Sequence, residues 1–223
     1  MIKTILCLTI SLIAMGFGSR PCAAQAAKPP KLEVASELTT RNARSEESSL
    51  GDLVADSVRN VEGSDIAFLP ASSFAEITIP KGSASIDEVL KVLAFKSHTV
   101  VIVNLTGLQV RQALAHGLAL VPQRNSAFPH VSGLSASIDP GQEGIKRVVS
   151  VKVGGSAIDD KKIYTVAMPS ILADGALTYY KVWRKGDTDQ HDTGKTLEQA
   201  LTDYLKGKKV IGDRTEERLA FKK

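Results

Sequence analysis

One apolar segment limits what this chain can fold into. The run Thr99–Leu105 (TVVIVNL) is rich in β-branched residues and is apolar on both faces for most of its length. A strand with one wet face would alternate apolar and polar residues. The run therefore predicts an interior strand in a sheet that is covered on both sides.

Four helices are predicted, each after a Ser or Thr that can accept a hydrogen bond from the first-turn backbone. In three of them a Glu or Gln three residues later completes a capping box. The third helix is expected to bury Leu108, Leu114 and Leu118. The helices are predicted from Leu50 to about Asn60, after Ser85 through Leu93, after Thr106, and from Thr196 to Gly207.

Several shorter runs with β-branched or alternating residues predict further strands. Those around Gly154-Gly155 are interpreted as an antiparallel meander. Helices mixed with parallel-type and meander-type strands predict an α/β (α+β) domain with a mixed sheet and helices packed on it. The predicted strands are Asp65–Leu69, Val131–Ile138, Arg147–Val153, Ile163–Met168 and an edge strand within Gly212–Phe221.

Residues 1–26 have the pattern of a secretory signal peptide, with Lys3 before the apolar run Ile5–Phe17 and small residues up to Ala26. A membrane anchor is the alternative, but the run is short for a bilayer span. We therefore expect a periplasmic or secreted protein with no membrane segment after cleavage. Residues 27–43 are then an extended leader rich in Pro and Lys, and residues 44–223 form one domain.

Cysteine and charge exclude several function classes. Cys7 and Cys22 both fall within the predicted signal, so the mature chain is expected to lack a disulfide and a thiolate nucleophile. Loss of Lys3 and Arg20 leaves 26 basic and 24 acidic side chains, which is a net charge of +2 instead of +4. That weak excess argues against nucleic-acid binding.

The sequence predicts no catalytic residue, no metal site and no cofactor. None of the four histidines has a partner at metal-ligand spacing, and we interpret each as solvated or structurally bonded. There is no Gly-x-Ser-x-Gly elbow and no Gly-rich phosphate loop with a Lys. The histidines are His98, His116, His130 and His191.

The order and spacing of several motifs resemble the C-terminal domain of the 5′-nucleotidase / UDP-sugar hydrolase family. The resemblance runs from about Arg44 to about Phe221 and implies the fold of that domain. It also implies that the metallophosphatase domain, which carries the dimetal centre in full-length members, is not in this polypeptide. The scaffold matches are Leu50-Gly51, Asp65-Ile66-Ala67, Leu105-Thr106-Gly107, Val131-Ser132-Gly133-Leu134 and Tyr164-Thr165-Val166-Ala167.

The same resemblance implies three substrate-binding residues. Phe95 stands at the family's Pro-Phe-x-Asn corner, here Ala94-Phe95-Lys96-Ser97, where the Phe offers an aromatic face to a nucleobase. Arg44 stands where a family Arg helps to hold the ligand, and a plain surface Arg is the alternative. Tyr179 survives from a Phe-x-x-x-Gly-Gly-Asp-Gly-Tyr segment, and a packing role is its alternative.

Other ligand positions of the family differ here. Ala75 replaces an Arg that points at the substrate, and Ala cannot supply a bidentate donor. Ile171 replaces the second clamp aromatic, and Leu177 replaces an Asp. At ~1–3 kcal/mol for each lost charged hydrogen bond, nucleotide affinity should fall by several kcal/mol.

These observations predict a non-catalytic binding or accessory module for a nucleotide-like ligand or a partner protein. The alternative is the substrate-recognition half of a split metal-dependent 5′-nucleotidase, acting with a separate metallophosphatase domain. A third interpretation is a partner-binding scaffold without a ligand, which an exposed apolar patch over residues 171–180 would favour.

Overall fold

A computed structural model describes residues 31–212 and 216–222, so the predicted signal peptide lies outside the described residues. The helices are α1 Ser49–Arg59, α2 Ile86–Leu90, α3 Gly107–Gly117, α4 Ser170–Ala173 and α5 Leu197–Lys206. The strands are β1 Lys31–Val34, β2 Leu38–Thr39, β3 Ile66–Pro70, β4 Thr78–Ile79, β5 Gly82–Ser85, β6 Thr99–Thr106, β7 Pro129–Ser132, β8 Leu134–Ile138, β9 Val148–Val153, β10 Ser156–Ala157, β11 Ile163–Pro169, β12 Gln190–Thr196, β13 Val210–Ile211 and β14 Leu219–Phe221.

The central sheet has five strands in the order β12-β6-β11-β3-β7. Strand β6 is antiparallel to both of its neighbours, whereas β11 and β3 run parallel. Val101 and Val103 of β6 belong to one apolar core, and Val100 and Ile102 belong to a second core on the other face. The predicted two-sided burial of this run is therefore confirmed.

Helices pack on both faces of the central sheet. The first core includes α3 and the four-stranded sheet β10-β9-β8-β14, and the second includes α1, α2 and α5. A mixed α/β domain with helices packed on a mixed sheet is therefore confirmed.

Two helix predictions need correction. The second helix ends at Leu90, because Leu93 leaves the helix to form a bridge with Phe74. The third helix begins after Thr106 as predicted, but Leu108 is exposed in its first turn. The buried stripe of that helix is formed by its interior turns, at Val110, Ala113 and Leu114.

Two strand predictions also need correction, and one strand was not predicted. The predicted strand over 131–138 divides at Gly133, whose φ of 78° turns the chain from β7 into the separate sheet of β8. Strand β11 belongs to the central sheet and not to the meander, which consists of β8, β9 and β10. Strand β12 lies in a polar segment whose sequence pattern is typical of turns.

The part of the predicted leader that the structure describes contains two strands packed into the fold, and it then turns at residues 41–43. Strand β1 pairs with β5 and β13, and Leu32 and Val34 are buried. Strand β2 pairs with β4 and buries Leu38. This segment therefore contributes to the second core.

The chain near its C-terminus is held by an ionic network. The guanidinium of Arg218 is nearly buried and donates to Asp56 at 3.0 Å and to the carbonyl of Val131 at 2.7 Å. The Glu47 carboxylate accepts the backbone N–H of Arg218 at 2.9 Å. Burial, reinforced by the charge of Glu47 and opposed by Arg218, raises the pKa of Asp52 to about 9.

The raised pKa of Asp52 predicts a loss of stability at alkaline pH. An Asp in the unfolded chain has a pKa of about 3.9, so the folded state binds this proton more tightly. The stability that the bound proton of Asp52 contributes is complete below the unfolded pKa of about 3.9. It is lost progressively as the pH rises from there through the folded pKa of about 9. Asn is neutral throughout, so Asp52→Asn should stabilise the fold by several kcal/mol at pH 8 and by much less at pH 5, at about 1.4 kcal/mol for each pH unit between the two pKa values.

Urea unfolding at pH 5 and pH 8 measures this difference. Asp187→Asn removes an exposed carboxylate and serves as the matched control, with little change expected. Because the low pKa of buried His130 makes stability rise over part of the same pH range, the test is the difference between Asp52→Asn and the wild type. A difference that does not grow from pH 5 to pH 8 would contradict the assigned protonation of Asp52.

Gly133 is predicted to tolerate no side chain. A Cβ there would collide with the carbonyl oxygen of Asp65, and its φ of 78° disfavours any L-residue. Gly154 has a similar φ of 56°, but a Cβ there would meet nothing within 4 Å. Gly133→Ala should therefore cost ~3 kcal/mol or more and Gly154→Ala only ~1–2 kcal/mol, as measured by chemical unfolding. Equal losses of unfolding free energy in the two variants would contradict the collision at Gly133 and leave only the strain of the positive φ.

Candidate functional site

One end of the central sheet gathers the loops that carry the predicted site. Strands β3 and β11 are parallel, with Ala67 beside Ala167, so both of them finish at this end. Strand β6 begins there, because it is antiparallel to β11 and Val100 lies opposite Pro169. Segments 71–76, 94–98 and 170–182 all adjoin this end, which we call the loop end.

The Phe95 corner is fixed by backbone hydrogen bonds on both sides. The N–H of Ala94 donates to the carbonyl of Ser73 at 3.0 Å. The first two N–H groups of α5 donate to the carbonyls of His98 and Lys96, at 2.9 and 3.2 Å. These bonds use donors that a helix N-terminus leaves without intrahelical partners. The Phe95 side chain is nevertheless 52% exposed.

The imidazole of His98 covers one face of the Phe95 ring. The ring centroids are 5.0 Å apart and the planes are inclined by only 13°. A ligand ring therefore has one face of Phe95 on which to stack. This role of His98 was not predicted from the sequence, although the three-residue spacing of the two rings is a usable signal.

Arg44 borders a small cavity on the other side of segment 71–76. Its Nη1 donates to the hydroxyl of Ser126 at 3.1 Å. The cavity has a volume of about 120 Å³ and is also lined by Ala75, Glu76 and Arg124. Small-molecule pockets usually measure about 300–1,000 Å³, so this cavity suits an anionic group but not a whole nucleoside.

A buried histidine supports the Arg44 loop from below. His130 lies in β7, where Nε2 donates to the carbonyl of Ala43 at 2.8 Å, since that carbonyl can only accept. Burial lowers the pKa of His130 to about 4, so the ring is neutral at physiological pH. The ring also contacts Phe74 edge-on, with centroids 5.0 Å apart. His130 is therefore structurally bonded, and it positions the residue that precedes Arg44.

Tyr179 lies in the core. Its ring is completely buried, stacks on Trp183 with centroids 5.0 Å apart, and donates its hydroxyl to the carbonyl of Ala127 at 3.2 Å. Burial raises the pKa of Tyr179 above its usual value. In this conformation the ring offers no surface to a ligand. Of the three predicted site residues, the structure leaves Arg44 and Phe95 accessible.

The segment around Tyr179 exposes two other large side chains. Ile171 is 48% exposed and Tyr180 is 49% exposed. The segment is tied to α3 by His116, whose Nε2 donates to the carbonyl of Leu177 at 2.8 Å. An exposed apolar surface at the loop end therefore accompanies Phe95. Sequence analysis did not select Tyr180.

Two features are absent from residues 31–212 and 216–222. Within those ranges no three His, Cys, Asp or Glu side chains come together as a metal site. None of the helices there is long and apolar enough to cross a bilayer.

Comparisons with known proteins agree with this fold and place the chain in a wider family. It is 29% identical over 189 residues to the trifunctional nucleotide phosphoesterase protein YfkN of Bacillus subtilis, covering 80% of this chain and 13% of that protein. It is 26% identical over 203 residues to a 5′-nucleotidase of Diplobatis ommata, covering 82% of this chain and 35% of that protein. The chain thus spans about a third or less of these two relatives.

Solved structures show the same architecture. A 5′-nucleotidase precursor from Thermus thermophilus superimposes with a TM-score of 0.76 at 28% identity, covering 85% of this chain and 39% of that one. The NAD nucleotidase of Haemophilus influenzae has a TM-score of 0.72 at 21% identity over 85% of this chain and 37% of that one, and shares the fold. Residues 23–182 match the family described as 5′-nucleotidase, C-terminal domain. This chain belongs to the 5′-nucleotidase C-terminal domain family.

Proposed function

We propose that this chain is a non-catalytic binding module for a molecule that combines a flat ring with an anionic group. The observation that carries the proposal is Phe95, a half-exposed aromatic ring on a loop held by backbone hydrogen bonds at both sides. A fixed ring can receive a ligand without first losing conformational entropy. Covering it also removes apolar surface from water, at about 25 cal/mol for each Å².

The ligand ring stacks on the face of Phe95 that His98 leaves open. Base–aromatic stacking contributes ~1–3 kcal/mol for each base. Arg44, across segment 71–76, supplies positive charge for an anionic group, whereas the charge of Arg124 in the same cavity is paired with Glu76 at 3.6 Å. A millimolar dissociation constant corresponds to about −4.1 kcal/mol, so these few contacts predict weak, roughly millimolar to high-micromolar binding.

Nucleotides are the first ligands to test, because the similar proteins include a nucleotide phosphoesterase and a 5′-nucleotidase. The module would act outside the cytoplasm if residues 1–26 serve as a signal peptide, which stays a prediction from the sequence.

Phe95→Ala is expected to weaken binding of AMP and UDP-glucose by about fivefold or more, because the stacking surface is lost. Isothermal titration calorimetry measures the change. Ile163→Ala is the matched control, since Ile163 is at least as exposed but lies opposite Thr106, at the far end of the sheet. If neither ligand binds the wild type, the small-molecule proposal fails for these compounds and a partner-binding scaffold is favoured.

A second candidate is the substrate-recognition half of a split 5′-nucleotidase. Two observations favour it. Two relatives of this chain have names that describe phosphoester hydrolysis. Phe95, Ile171 and Tyr180 are also exposed at the loop end, where a separate metallophosphatase domain could cover them.

The two candidates differ in phosphate release. The purified chain with AMP, UDP-glucose and Mg²⁺, Mn²⁺ or Zn²⁺ should release no phosphate under either of them. Addition of a separately expressed metallophosphatase domain from the same genome should raise turnover only if the enzyme is split, and Phe95→Ala should then reduce that gain. Metal-dependent turnover by this chain alone would contradict both proposals.

A further inference from the structure

A second cavity opens at the opposite end of the central sheet from Phe95. It lies where β3 begins and β7 ends, since Ala67 of β3 pairs with Ser132, the last residue of β7. Its volume is about 580 Å³, within the usual 300–1,000 Å³ of small-molecule sites. Its walls come from the end of α1, from β9 and from the segment after α5. We call it the basic cavity.

Three cations line the basic cavity without a matching anion. Arg59, Lys152 and Lys208 have no ion-pair partner among the residues that the structure describes. The acidic side chains in the lining are Asp56 and Glu216. Both form ion pairs with Arg218, whose Nη2 lies 2.9 Å from Asp56 Oδ1 and whose Nε lies 3.1 Å from Glu216 Oε2. The wall therefore carries a net positive charge.

The guanidinium of Arg59 is held in a fixed orientation. Its Nε donates to the hydroxyl of Ser132 at 2.8 Å, and that hydroxyl donates to Asp56 at 2.6 Å. Ser132 is almost fully buried, and Asp56 is itself bonded to Arg218. The terminal amino groups of Arg59 make no hydrogen bond within the described chain. A guanidinium oriented in this way presents two parallel donors, the geometry that suits an oxyanion.

Part of the cavity wall is bare backbone. Gly63, Gly154 and Gly155 line it, and a Cβ at any of them would meet nothing within 4 Å. Glycines allow a ligand to approach the main chain closely. The ammonium group of Lys208 lies over the ring of Tyr204, 4.6 Å from the ring centroid.

We propose that the basic cavity binds a small molecule bearing phosphate or sulfate groups, with Arg59 as the bidentate donor and Lys152 and Lys208 as further cations. We infer this ligand chemistry from the orientation of the Arg59 guanidinium and from the net positive charge of the cavity wall. The site lies at the other end of the sheet from Phe95 and does not depend on the ligand proposed there.

Isothermal titration calorimetry at low ionic strength tests the proposal. The titrants are inorganic pyrophosphate, phosphate and sulfate. Arg59→Gln should weaken pyrophosphate binding about tenfold or more. Arg41→Gln is the matched control, since it removes the same charge from an exposed position outside the cavity, and it should change binding less than twofold. The relative affinities for the three anions distinguish phosphate from sulfate ligands.

Ser132→Ala tests the orientation of Arg59, because it keeps every charge but removes the hydroxyl that holds the guanidinium. Binding should weaken several-fold, although thermal unfolding must first show that this variant is folded. Lys152→Gln, on the exposed face of β9, provides a second variant that leaves the buried network intact.

Two outcomes would overturn the proposal. One is the absence of pyrophosphate binding at millimolar concentrations, and the other is an equal loss in Arg41→Gln and Arg59→Gln, which would indicate only general electrostatic attraction. Phe95→Ala should leave pyrophosphate binding unchanged. Failure of nucleotide binding at Phe95 with retention of pyrophosphate binding would separate the two proposals.

Discussion

The two-sided burial of β6 is the constraint on which the rest of the structure depends. Its alternate side chains enter both apolar cores, so neither core can form unless this strand lies within the sheet. The same strand connects the Phe95 corner at its start to α3 at its end. The burial of β6 therefore stabilises the fold and also fixes the position of the exposed Phe95 ring.

The family fold is kept here, whereas the resemblance implies that several of the family's ligand positions carry other residues. In this chain the corner that presents Phe95 is braced by α5, and His130 supports the loop of Arg44. Ala75 and Ile171 occupy positions where the family resemblance implies an Arg and an aromatic ring. Backbone bracing does not depend on these side chains, so the scaffold tolerates their replacement. A fold kept in this way does not by itself carry the activity of its relatives.

Local signals made much of the fold predictable. The capping box at Thr106 and Gln109 predicted the start of α3, and the apolar run Thr99–Leu105 predicted β6. The order of the family motifs predicted the corner at Phe95. Strand β12 was missed because its sequence, QHDTGKT, is polar and it pairs only along one side. The pairing of Arg59 with Ser132 joins residues 73 positions apart. No short sequence pattern encodes such a contact, so the basic cavity emerged only from the fold.

The bracing of the Phe95 corner has a consequence for how this protein is made. Lys96 pairs with Glu198, 102 residues further along the chain, and α5 begins beside that pair. A nascent chain emerging from the ribosome therefore exposes the aromatic ring long before the helix that steadies it has been synthesised. The recognition surface is completed only when the last helix docks, so a truncated product would keep the ring but lose its fixed position.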